Sequence, residues 1–133
     1  MLRIRDILQF PSFYSKRQQS VRQTQVSITN VNKEEEFIDI EGVSKNYKTF
    51  IRIYGTNRNL NPNTNVSIHC DCKSFQFEFA NAVFKDESLL YPEKFDKELI
   101  SKPVEKNKYM IASGCKHIIA LANLFNQQRN RLL

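Results

Sequence analysis

The chain has 133 residues, 26% of them charged and 41% hydrophobic, and a formal net charge of +6. That length suits one domain with a modest core. The ordinary apolar content argues against a disordered chain, and no run of 18 apolar residues exists to form a transmembrane helix.

The charge is unevenly placed. Residues 1–22 carry five cations against Asp6 and sum to +4; residues 101–133 carry six against Glu105 and sum to +5. The total of +6 therefore leaves the centre at −3. Basic ends favour a polyanionic or acidic partner, against the plainer reading of solvated lysines.

In chain order, residues 1–20 read as an N-terminal arm preceding a domain over residues 21–133. Leu2, Ile4, Ile7, Leu8 and Phe10 alternate with Arg3, Arg5 and Asp6 in no sustained period, and Pro11 interrupts them. Such a segment cannot bury enough surface alone to offset its ordering entropy, so it is expected to order only on a partner. It lacks the long apolar stretch and small-residue cleavage site of a secretory signal. Phe10, Phe13 and Tyr14 suit anchoring in a protein groove. Arg3, Arg5, Lys16 and Arg17 suit a phosphate backbone. Both readings stay open.

From Val21 the pattern turns to strand. Thr24, Val26 and Ile28 alternate with polar residues, and Lys33-Glu34-Glu35-Glu36 is a polar turn. Residues 37–41 form a second short strand closed by Gly42. Residues 47–54, rich in β-branched and aromatic side chains, form a third. Residues 55–65 are a loop by composition, and residues 66–70 form a fourth strand. Residues 74–84 read as a helix, since Phe75, Phe79, Ala82 and Val83 follow helical spacing. Residues 85–109 are charged, carry two prolines, and read as a surface insertion with a short helix around 93–100. A last helix starts at Ser113-Gly114, with Ile118, Leu121, Ala122 and Phe125 as its buried stripe. The fold class expected is α+β: a small antiparallel sheet of about four strands and two helices.

All three cysteines fall in two tripeptides, Cys70-Asp71-Cys72 and Cys115-Lys116-His117. On an extended strand end, side chains at i and i+2 point the same way, so Cys70 and Cys72 can converge on one ion. Cys115 and His117, at the start of the last helix, can supply two further corners. Three Cys and one His form a common structural zinc set, and four protein ligands leave no position for water. Helix N-terminal amides favour the Cys115 thiolate. Lys73 and Lys116 flank the site and offset the single net negative charge of a loaded centre. His69 faces opposite to Cys70 and reads as a surface histidine, not a ligand. An odd cysteine count in metal-like spacing argues for a reducing intracellular compartment and against a disulfide framework.

Cys-x-Cys, a spacer and Cys-x-His opening an apolar helix resemble the SWIM-type zinc finger. The similar stretch runs from about Thr24 to Gln128. The 42 residues between Cys72 and Cys115 are more than that family leads one to expect. The resemblance implies a zinc-stabilised module that binds DNA or protein. The brevity of the chain is also similar to short SWIM-type proteins of tailed phages, which implies a place in a virion. The Cys–His pairs are better explained as ligands than as nucleophile and base, and no phosphate-cradling glycine loop is present. The expectation is a non-enzymatic protein with no small-molecule substrate and no membrane association. It acts as a component of a larger protein assembly, with free DNA binding as the alternative.

Overall fold

The computed structural model describes residues 1–8, 24–94 and 114–133. The fold is α+β. Four strands, β1 (Ser27–Lys33), β2 (Ile38–Ser44), β3 (Tyr47–Ile53) and β4 (Val66–Cys70), form an antiparallel sheet in the order β1-β2-β3-β4. A short helix α1 (Ile4–Leu8) precedes the sheet. A π-helical turn (Phe75–Phe79) running into α2 (Ala80–Lys85) follows it, and the long α3 (Lys116–Leu132) closes the described chain. Among the described residues, no helix is long and apolar enough to cross a membrane.

Strand alternation sorts the sheet into two faces. Ile51 lies opposite Ile40 and Ile68, and Ile53 opposite Ile38 and Val66. These isoleucines and valine are buried beneath α3, whose stripe of Ile118, Leu121, Ala122 and Phe125 is buried as its spacing predicts. The other face carries Asp39 opposite Arg52, joined by two hydrogen bonds of 2.8 and 3.0 Å, with the guanidinium over Phe37.

Four expectations need correction. β2 does not close at Gly42; it continues to Ser44. Gly42 is tolerated there because α3 passes directly over it. A Cβ would stand 2.7 Å from Leu121 Cδ1 and 2.9 Å from Val26 Cγ1. Likewise β1 begins at Ser27 and runs through Lys33, so the strand lies later than the alternation from Thr24 suggests.

The third correction concerns the N-terminus. Residues 1–8 belong to the domain and not to a separate arm. Leu2 and Ile7 are only 4% and 1% exposed. Ile4 N–H donates to Thr64 O, Arg5 N–H to Pro62 O, and Leu2 O accepts from Val66 N–H at 2.8 Å. Those backbone bonds supply what a periodic apolar face would otherwise have to provide. Phe10, Phe13, Tyr14, Lys16 and Arg17 lie outside the described residues.

The fourth concerns the spacer, whose first residues are built into the sheet. Ile68 N–H donates to Ser88 O at 2.8 Å, and Leu90 N–H to Ile68 O at 3.0 Å, so Leu89 lies parallel to β4. Ser88 is fully buried and its Oγ accepts from Leu2 N–H at 2.7 Å. The far edge of β4 is thus covered by both the N-terminus and the spacer, which hides backbone groups that would otherwise invite pairing. A short 3₁₀ turn (Pro92–Lys94) follows; the remainder of the helix expected at 93–100 lies outside the described residues.

Candidate metal centre

The four residues of the two tripeptides meet at one point. β4 ends at Cys70, whose register partner is Thr49 on β3. Asp71 N–H continues the ladder by donating to Lys48 O at 3.1 Å. The chain then turns into the helical segment: Cys72 O accepts from Gln76 N–H, and Cys72 Sγ accepts from Phe75 N–H at 3.3 Å. The second pair comes from the other end of the fold. Cys115 caps α3 with an extended backbone, and His117 lies in the first turn. Cys115 O accepts from Ile119 N–H, which locks that turn.

The sulfurs and the His117 ring offer ligand atoms that all lie within 4.8 Å of one another, and all four residues are buried. His117 Nδ1 is 3.7 Å from Cys70 Sγ and 3.9 Å from Cys115 Sγ. The other side of its ring faces Tyr47, with centroids 5.3 Å apart. The cluster suits a single metal ion.

The protonation of the cysteines points the same way. Hydrogen bonds from Cys115 and then Cys70 hold Cys72 far below the usual thiol range. For Cys70 the contact with Cys115 pulls down, but Cys72 and burial outweigh it, and the thiol is pushed up to about 12. Burial, followed by the two neighbouring sulfurs, drives Cys115 well above its ordinary value. Three buried negative charges in contact repel one another, so burial and the neighbouring sulfurs disfavour full ionisation of the cluster. A divalent ion reverses that balance by binding thiolates directly.

His69 lies outside the Cys₃His cluster, and it is not the surface residue that the alternation predicts. It is 1% exposed. Its ring packs among Phe50, Tyr91 and Phe75, and its Nε2 lies 2.9 Å from Asp71 Oδ1. Burial lowers its pKa, and Asp71 opposes that only in part. The contact holds the one residue between Cys70 and Cys72. Sequence reasoning missed this because Phe50 and Tyr91 lie 19 and 22 residues from His69 along the chain.

Of the remaining candidate site residues, Arg3 and Arg5 are described, and both lie at α1 and not at the cluster. Arg3 sits at the start of α1, with its Nε 3.6 Å from Asp6 Oδ2; Arg5 lies within that helix. Lys73 and Lys116 are exposed beside the ligands, as expected for residues flanking a buried centre. None of the protein-family models, curated proteins and solved structures compared with this chain matches it.

Proposed function

We propose that this chain is a non-enzymatic binding module of the SWIM zinc-finger type, fastened by one structural zinc. In that reading it serves as a structural or adaptor component of a larger assembly, of which a tailed-phage particle is one example. The observation that carries the zinc is the ligand geometry. A tetrahedron with zinc–sulfur bonds of about 2.3 Å and a zinc–nitrogen bond of about 2.0–2.1 Å has sulfur–nitrogen edges of about 3.6 Å. The two sulfur–nitrogen separations of 3.7 and 3.9 Å fit it. A set of three sulfurs and one imidazole favours zinc over hard cations such as magnesium or calcium.

The metal would join the end of β4 to the start of α3. Four protein ligands close the coordination sphere, which suits a structural rather than a hydrolytic role. The adaptor role is supported by surface character. Phe77 and Phe84, 43% and 42% exposed, lie on one helical stretch, and the basic segment containing Phe10, Phe13 and Tyr14 offers further anchors.

The test is metal content. Purified protein should carry one zinc per chain, and Cys72→Ser with Cys115→Ser should carry none. Stoichiometric zinc in that double variant would refute the site. For the assembly, Phe10→Ala, Phe13→Ala and Tyr14→Ala together should stop incorporation into the native particle while leaving zinc in place. Normal incorporation of the triple variant would remove those residues as anchors.

A further inference from the structure

We propose that the groove beside the metal centre, lined by Lys45, Lys73, Lys116 and Tyr47, binds the phosphate backbone of a single-stranded nucleic acid. The inference rests on the zinc-fastened fold, because Lys73 follows the ligand Cys72 and Lys116 separates Cys115 from His117. The groove has a volume of about 900 Å³ and reaches from β1 across the β2–β3 turn to the first turn of α3.

Its charge is one-sided. Lys45, Lys73 and Lys116 come from three separate elements, and no acidic residue is among the described residues lining the groove. All three lysines are exposed, and none forms a salt bridge with a described carboxylate. Three positive charges exceed the single net negative charge of a zinc-loaded Cys₃His centre, so the groove is net cationic.

Two further features select the ligand class. Exposed Gln25 and Ser27 on the β1 side add neutral hydrogen-bond donors of the kind that position phosphate oxygens. Tyr47, 36% exposed and backed by the His117 ring, presents an aromatic surface inside the cationic groove. A basic groove with an aromatic platform is how single strands are held without sequence preference. An acidic peptide would use the lysines but has no need of the ring. Lys45 carries a second mark. It adopts φ 55° at the β2–β3 turn, a conformation that favours glycine or asparagine, yet a lysine occupies it.

The experiment uses the full zinc-loaded chain and a fluorescein-labelled 20-nucleotide oligo-dT, read by anisotropy over a range of salt concentrations. Lys45→Gln, Lys73→Gln and Lys116→Gln together should weaken binding about tenfold or more. They should also lower the log–log salt slope by about 2, at about 0.7 per phosphate released. Zinc should remain at one per chain, measured on the same sample, since none of the three side chains is a candidate ligand. Tyr47→Ala should cost about fivefold or more, the low end of what stacking one base contributes. A triple variant that binds with the parent affinity and slope would overturn the groove while leaving the zinc reading intact. Polyglutamate competing as well as oligo-dT at equal charge would overturn the nucleic-acid reading in favour of an acidic protein. Zinc-free protein as isolated would instead refute the zinc reading on which the groove's charge balance depends.

Discussion

Gly42→Ala tests how closely α3 is held to the sheet. The added Cβ would stand 2.7 Å from Leu121 Cδ1, 2.9 Å from Val26 Cγ1 and 3.2 Å from Ser27 O. The first two atoms belong to side chains, but Leu121 is fully buried and Ser27 O belongs to the β1 backbone. Relief therefore requires Leu121 to leave its rotamer or α3 to rise, four residues after the candidate ligand His117. Overpacking of this kind costs about 1–3 kcal/mol. Replacing a mid-strand glycine returns about 0.5–1 kcal/mol of backbone entropy. The net expectation is a loss of up to about 2.5 kcal/mol, which in a chain this size lowers the melting temperature by up to roughly 15 °C. Urea denaturation of the zinc-loaded protein is the assay, with metal content measured on the same sample. A double-mutant cycle makes it sharper. Leu121→Ala alone should cost about 2–5 kcal/mol, and less in the Gly42→Ala background because it removes the nearest clash. Unchanged stability of Gly42→Ala, together with additive costs in the cycle, would refute the close approach.

Four other outcomes follow from the same geometry. Chelating the metal should unfold the domain, since a structural zinc contributes on the order of 10 kcal/mol; an unchanged melting curve with chelator would contradict that. Zinc affinity should fall as pH falls, because Cys70 and Cys115 are held as thiols and must lose protons to bind; competition with a chromophoric chelator at several pH values measures it, and a flat profile would argue against thiolate ligation. Ser88→Ala should cost about 1–3 kcal/mol by leaving Leu2 N–H buried without its acceptor, with urea midpoints as the readout. Deleting residues 1–8 should destabilise the zinc-loaded domain by more than about 3 kcal/mol, since burying Leu2 and Ile7 contributes about 1.5–3 kcal/mol each; a truncated protein melting at the parent temperature would restore the reading of a separate arm.

Local signals were enough for the elements whose neighbours along the chain settle their conformation. The bounds of β4 were readable from Val66-Ser67-Ile68-His69-Cys70, and β3 differed only at its last residue. Helical spacing chose correctly for Phe75, Phe79, Ala82 and Val83, all buried, although the segment opens with a π-helical turn. The paired i, i+2 spacing also named the metal cluster, because ligands on one strand end and one helix start are constrained by local geometry on each side.

Long-range partners decided the rest. Gly42 looks like a strand terminator until Leu121, 79 residues later, is placed above it. Residues 1–8 and 88–90 have no periodic apolar face, and their place in the domain comes from backbone hydrogen bonds to β4 and the loop before it. His69 is polar in any local reading, yet Phe50 and Tyr91 enclose it. The groove lysines are unremarkable in sequence and line one surface only when the β2–β3 turn, the segment after β4 and the start of α3 are brought to the Cys₃His cluster. A side chain's preferred backbone state is largely a property of its own residue and near neighbours. Its burial, its hydrogen-bond partner and the field it joins belong to residues that the chain folds against it.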